Sequence, residues 1–236
     1  TKFIEKSLNN PKITGTKLKT LKKYPKNSYL GLLHQLRNWI SKMQFKKDKS
    51  IWENYTKEHT YQNLEYQNKK KFVTEFVKRI KPDRIIDLGC NTGEFSKISL
   101  DAGAKYAVGF DFDSNAITEA YKKAYREKIN FLPLMFNAAN PSPNQGWLQQ
   151  ERKGFIERFK SDALIALAFE HHLIIGKNIP IDQFFFWLSK ISKYGLIEFV
   201  PKSDSTVQKM LEYREDVFLD YNEENFEKNL KKYFNI

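Results

Sequence analysis

The 236-residue sequence predicts an α/β fold: a doubly wound, mostly parallel sheet with helices on both faces, preceded by a basic helical extension. Three observations predict it. Arg84–Leu88 (RIIDL) is a β-branched run, the mark of a strand buried on both faces. A turn bracketed by Gly89 and Gly93 (GCNTG) joins it to a helical pattern, and glycine there permits positive φ and close approach of backbone to a ligand. A second apolar run, Tyr106–Phe110, ends on Asp111, 22 positions after Gly89, where a parallel α/β unit holds a ribose.

The remaining elements follow in chain order. Residues 1–27 are rich in Lys, Asn and Thr without a period and read as an irregular arm. From Ser28 to Phe45, Leu32, Leu33, Leu36, Trp39, Ile40 and Met43 recur at helical spacing, which predicts a helix packed on the domain or on a neighbour. Residues 51–81 read as one or two helices; Phe72, Val73, Phe76, Val77 and Ile80 form an apolar stripe that ends at Lys81-Pro82. Thr92 or Asn91 can cap the helix after the glycine turn, through about Ala102. A helix is expected over Ser114–Glu127, a third strand over Ile129–Phe136 and a Pro-rich loop over 140–147. Trp147–Phe159 reads as a helix with Trp147, Phe155, Ile156 and Phe159 as its apolar positions, and Asp162–Ala168 as the fourth strand. Ile179-Pro180 opens another helix, since proline suits a first turn. Gly195–Val200 is the expected fifth strand; Ser203 or Asp204 caps a helix to about Tyr213, and a last helix covers about Asn222–Lys232.

Composition narrows the function classes. The chain is 41% hydrophobic, so it can bury a sizeable core. No apolar run reaches the ~18 residues of a membrane span, and no signal-peptide pattern is visible. A single cysteine, Cys90, rules out an intramolecular disulfide and fits a cytoplasmic setting; inside the glycine turn it reads as a small pocket-lining residue rather than a nucleophile. Residues 1–50 carry 13 Lys/Arg against two acids, whereas residues 51–236 carry 27 against 26. The basic character therefore belongs to the first fifth of the chain. That segment reads as a contact for nucleic-acid phosphates or another acidic partner, as a solvated tail, or as the remnant of an upstream domain.

Chemistry concentrates at the strand tips. The loop is not a pyrophosphate cradle, because the second position after Gly89 is Asn91 rather than glycine and no Lys-Ser/Thr follows. The apolar run of the fourth strand is interrupted by Glu170-His171-His172, on the side where an open α/β sheet binds ligands. His171 or His172 suits a general base, an imidazole titrating near neutrality. His34 and His59 are distant in sequence, so no metal site is expected.

At DLGCNTG and the GFD strand end the chain resembles the class I S-adenosylmethionine-dependent methyltransferases. The resemblance implies a Rossmann-like domain over residues 51–236, with residues 1–50 outside it, and S-adenosyl-L-methionine as cofactor with S-adenosyl-L-homocysteine as product. It implies cofactor contacts from Asp87, Gly89, Cys90, Asn91, Thr92, Gly93, Asp111, Phe112, Asn137 and Ala168. Asn137 stands where the family most often has an aspartate reading the adenine amino group; its oxygen can accept and its amide can donate. Trp52, Tyr55 and Tyr61 fall where an N-terminal helix closes over the methionine end. The resembled sheet continues with an antiparallel pair, of which at most the start is expected here. The segment NPSPNQGW does not match the Asn/Asp-Pro-Pro-aromatic motif of amino-methylating enzymes, since it follows the third strand and lacks the second proline. LPLMFNAANPSPNQGW, LIALAFEHHLIIGKNIPID and LIEFVPKSDSTVQKML are similar to the nodulation-protein-like (NoeA-type) methyltransferases over about residues 50–233. The expected function is methyl transfer to an unidentified acceptor. The alternative is an RNA methyltransferase, or a non-catalytic methyltransferase-like subunit of a ribonucleoprotein attached through the basic arm.

Overall fold

The computed structural model describes residues 25–43 and 63–236, and these fall into two compact units that divide between Lys47 and Asp48. In the first unit a helix, α1 (Lys26–Ser41), replaces the expected span of Ser28–Phe45, and it carries no acidic residue. Its apolar positions, Leu32, Leu33, Leu36, Trp39 and Ile40 among them, are exposed. The irregular arm and the aromatic residues Trp52, Tyr55, His59 and Tyr61 lie outside the described residues.

The second unit is built on five strands: β1 (Arg84–Leu88), β2 (Tyr106–Asp111), β3 (Phe131–Met135), β4 (Ser161–Ala166) and β5 (Ser192–Ile197). Their order is β3-β2-β1-β4-β5, and every neighbouring pair is parallel. The chain runs outward from β1 to β3, returns across the sheet, and lays β4 against the free edge of β1. This is the doubly wound, Rossmann-like order. Among the described residues no strand follows β5.

The period-2 alternation of the strands sorts their side chains between two cores. Ile86, Leu88, Val108, Phe110, Leu164 and Ala166 face one side, packed with Phe184, Phe185, Leu188 and Ile191 of α7 (Ile181–Ile191) and Phe226 of α9 (Glu223–Leu230). Ile85, Ala107, Ala163 and Ile165 face the other, under α2 (Asn63–Ile80), α3 (Glu94–Asp101) and α4 (Ser114–Glu127). On α2 the stripe buries Val73, Phe76 and Val77, whereas Phe72 stays 63% exposed. On α4 the buried residues are Ala116, Ala120 and Ala124, spaced four apart so that small side chains bring the helix close to the sheet.

Several boundaries differ from the sequence reading, each for a local reason. The helix α3 is capped not by Thr92 or Asn91 but by Gly93, which is left-handed at φ 80°; Asn91 instead accepts from the Thr92 N–H. The strand β3 starts at Phe131 because Lys128 turns left-handed and Ile129 N–H closes onto Ala124, so Ile129 and Asn130 form the link between α4 and β3. The strand β4 ends at Ala166, and two residues later Ala168 takes φ 47°. As an edge strand β5 has only β4 for a partner, and its Ser192–Ile197 span matches β4 residue for residue. The expected helix Trp147–Phe159 does not form. Gly146, Leu148 and Gln149 all have positive φ, Gln145 bridges Arg152, and Gly154 N–H is tied to the Asn144 side chain. Only a 3-10 turn (Trp147–Gln149) and the four-residue α5 (Phe155–Arg158) remain, and Trp147 is 78% exposed.

A Cβ added at Gly93 would overlap the buried Phe131 ring, on a backbone that side chains rarely adopt. Gly93→Ala is expected to cost about 1–3 kcal/mol, combining left-handed strain and overpacking. Urea unfolding checks this, and an unchanged midpoint would contradict it.

Candidate functional site

A cavity of about 390 Å³ opens at the carboxyl ends of β1, β2 and β4. That is where the strand order reverses, the crevice in which open α/β sheets bind ligands. Of the sequence-predicted cofactor residues, Gly89, Asn91, Asp111, Phe112, Asn137 and Ala168 line it. The other four, Asp87, Cys90, Thr92 and Gly93, do not; they build the turn from behind.

The turn is shaped by positive φ at Gly89 (78°), Asn91 (46°) and Gly93 (80°). Gly89 and Cys90 both donate their N–H to Phe110 O, which ties the turn to the end of β2. At Gly89 a Cβ would meet the Phe169 ring at 3.0 Å, so a bare glycine lets the β4 exit pack against the turn. The Cys90 side chain points into the protein: it is 5% exposed and packs where a Cβ on Gly109 would stand. Burial pushes its thiol pKa far up, with the Asp87 and Asp111 carboxyls adding to the effect. It is an inert packing group rather than a pocket wall.

At the tip of β2, Asp111 accepts from Asn91 N–H at 2.8 Å and Asp113 N–H at 2.9 Å. Each carboxylate oxygen thus has one backbone donor and keeps further acceptor capacity toward the cavity. Burial raises its pKa, opposed by the backbone donors of Asp113, Asn91 and Phe112. Phe112 is 67% exposed at the cavity rim and offers an apolar ring face. Asn137 lines the cavity, and its oxygen accepts from Ala139 N–H at 3.1 Å. Asp87 lies under the turn, 3% exposed, and accepts from Ser96 Oγ at 2.6 Å, pinning α3 to β1.

The predicted triplet opens a short helix, α6 (Glu170–Ile174), and its members divide. His171 and His172 line the cavity, their rings 4.2 Å apart. Glu170 does not. It is wholly buried and accepts from Val200 N–H at 2.7 Å, with the Tyr221 hydroxyl 2.9 Å from the same oxygen. Glu170 therefore stands behind the crevice rather than in its lining. Burial, with a smaller contribution from the neighbouring His171, lowers the His172 pKa to about 4. Neutral imidazole is thus the form present near pH 7.

Two further acids shape the cavity wall. Glu198, just past β5, accepts from Ala168 N–H at 2.9 Å and pairs with Lys69 of α2 at 2.8 Å, fixing the left-handed turn at the cavity wall. Asp204 caps α8 (Ser205–Leu211) through Thr206 and Val207 N–H and lines the cavity beside the histidines. An acid at a strand tip was a usable signal for Glu198, whereas its pairing with Lys69 across 129 positions was not. Among the described residues no three His, Cys, Asp or Glu side chains gather as metal ligands, and no helix is long and apolar enough to cross a membrane.

Two groups should titrate in opposite senses. Burial raises the Asp87 pKa to about 7, outweighing the Ser96 hydrogen bond, from an unfolded value near 3.9. The fold then favours the protonated acid, so this contribution is full below about pH 4 and lost as pH rises through about 7. His172, lowered to about 4 from about 6.5, contributes stability above about pH 6.5 that is lost as pH falls toward 4. The Tm of Asp87→Asn relative to the parent should rise from about pH 4.5 to 7.5, and that of His172→Gln should fall across the same range. Parallel Tm curves would contradict both assignments.

No protein-family model matches the chain. It is 48% identical to nodulation protein NoeA of Rhizobium meliloti (strain 1021) over 206 residues, 87% of this chain and 43% of that protein. The chain thus spans less than half the length of this relative. A shorter stretch of 48 residues, 20% of the chain and 15% of the other protein, is 40% identical to ribosomal protein L11 methyltransferase of Lachnospira eligens. Among solved structures, the methyltransferase domain of bacterial CtHen1-C overlaps 71% of this chain and 84% of its own, with a TM-score of 0.49 and 14% identity. In sequence the chain is similar to nodulation protein NoeA over most of its own length, and its body has a doubly wound, Rossmann-like fold.

Proposed function

We propose that the chain is an S-adenosyl-L-methionine-dependent methyltransferase. The observation that carries this reading is the junction of a left-handed glycine turn with a strand-tip carboxylate at the reversal point of the sheet. The residues present fit the group. The cavity falls in the range of small-molecule sites and is lined by hydrogen-bonding groups and an apolar ring. Asp111 would take the ribose hydroxyls, Phe112 and Asn137 the adenine, and the Gly89–Asn91 backbone the amino-acid end. When bound, the cofactor supplies an electrophilic methyl group on a sulfonium. The chain's own part is to hold the acceptor in line with that methyl and to shield the site from water, because orientation supplies most of the rate in such a displacement. The acceptor would enter beside His171, His172 and Asp204.

Asp111→Ala removes a charge-assisted hydrogen-bonding group. It should weaken S-adenosyl-L-homocysteine binding about ten- to a hundredfold, corresponding to ~1.5–3 kcal/mol. Titration calorimetry decides this, and equal affinity in parent and variant would refute the assignment.

The second reading, attachment to nucleic acid through residues 1–50, draws on their excess of 11 positive charges. Deleting residues 1–24 should then leave cofactor affinity unchanged while weakening any nucleic-acid binding and reducing its salt dependence. A deletion that also removed cofactor binding would show that the arm completes the site.

A further inference from the structure

Two polar atoms near the cavity are sealed from solvent with no hydrogen-bond partner: Glu170 Oε2 and His171 Nδ1. They face each other at 3.8 Å, with the two side chains 0% and 3% exposed. Buried polar atoms left unpaired each cost on the order of 1–3 kcal/mol, so a pair of them at one place calls for a function. They are complementary, for a carboxylate oxygen can only accept and an imidazole Nδ1–H can donate. A closure of less than 1 Å makes the hydrogen bond. The other carboxylate oxygen is already fixed by Val200 N–H at 2.7 Å, with the Tyr221 hydroxyl 2.9 Å away and itself 2.6 Å from Val200 O. Glu170 is thus anchored from behind by the segment after β5 and by the approach to α9, and its free oxygen has one direction to act in.

We propose that Glu170 is the positioning residue for His171: it holds the ring as the Nδ1–H tautomer, so that Nε2 presents its lone pair to the cavity as the base for the methyl acceptor. This rests on the methyltransferase reading and deepens it. The acceptor class it implies is a neutral hydroxyl or amine that sheds a proton on transfer. As the acceptor heteroatom bonds to the methyl carbon and the carbon–sulfur electron pair returns to sulfur, the acceptor proton passes to Nε2. The imidazolium so formed lies against the Glu170 carboxylate, which offsets its charge in a dry site. Burial makes the adjacent His172 ring a weak proton acceptor.

The test is the tautomer, read by nitrogen-15 NMR of histidine-labelled chain, with His172→Gln used for assignment. In the parent at neutral pH His171 is expected as Nδ1–H. In Glu170→Gln the carbonyl must stay where Val200 N–H donates, so the carboxamide NH2 takes the place facing His171. Nδ1 then becomes the acceptor and the tautomer inverts to Nε2–H, which cannot take a proton. Tyr221→Phe, which loosens the anchor but keeps the carboxylate, is expected to lower Tm and leave the tautomer alone. Calorimetry with S-adenosyl-L-homocysteine on the same samples separates the two readings. A parent chain that binds it with His171 as Nε2–H, or a folded Glu170→Gln chain whose tautomer matches the parent, overturns the positioning role alone. A folded parent that does not bind it overturns the methyltransferase reading and the base with it.

Discussion

The structure depends on the burial of β1. Both of its edges are paired, to β2 and to β4, and both of its faces are covered by helices. A strand enclosed on four sides exposes no backbone polar group, so its apolar side chains are all withdrawn from water, at roughly 25 cal/mol per Å². Ile85, Ile86 and Leu88 are fully buried, and the fourth inward residue, Asp87, survives there by accepting the Ser96 hydroxyl. Because β1 is central, its carboxyl end lies at the reversal point, and the glycine turn that leaves it has to be tight. The cavity, the positive φ angles and the carboxylate of Asp111 follow from that placement.

Around this strand the acids are used in two ways. Asp111 and Asp87 gather near the glycine turn, where burial holds their carboxyls above the ordinary range. Asp111 spends backbone donors to keep its place at the rim, whereas Asp87 is tied down beneath it. On the other side of the crevice, Glu198 and Glu170 act as fasteners of the β4 exit, one to Ala168 and Lys69, the other to Val200 and the Tyr221 region. The loop bearing the histidines is thus held by two carboxylates from within, which is how a turn with a non-glycine residue at positive φ is stabilised. Rigidity there is what an orientation-dependent reaction requires.

The helix α1 belongs to different physics. It has no acidic residue, lies in the strongly basic fifth of the chain and exposes its apolar stripe, whereas the charges of residues 51–236 nearly cancel. The α/β fold and the basic segment are separable in composition.

Much of this was legible in the sequence because parallel strands buried on both faces leave continuous apolar runs, and because turns with positive φ demand glycine. Local rules therefore located β1, β2, α4 and the glycine turn, and the acid spacing located Asp111. The capping glycine, the early start of β5 and the collapse of the expected helix Trp147–Phe159 were not legible, since each is decided by a partner distant in sequence or by backbone torsions that a hydrophobic period does not encode. The same holds within the site. The sequence by itself determined that Glu170, His171 and His172 stand at a strand tip. Only the tertiary structure decided that the histidines line the cavity while the glutamate is sealed behind them, because that sorting depends on Val200 and Tyr221, 30 and 51 positions away, reaching Glu170 first.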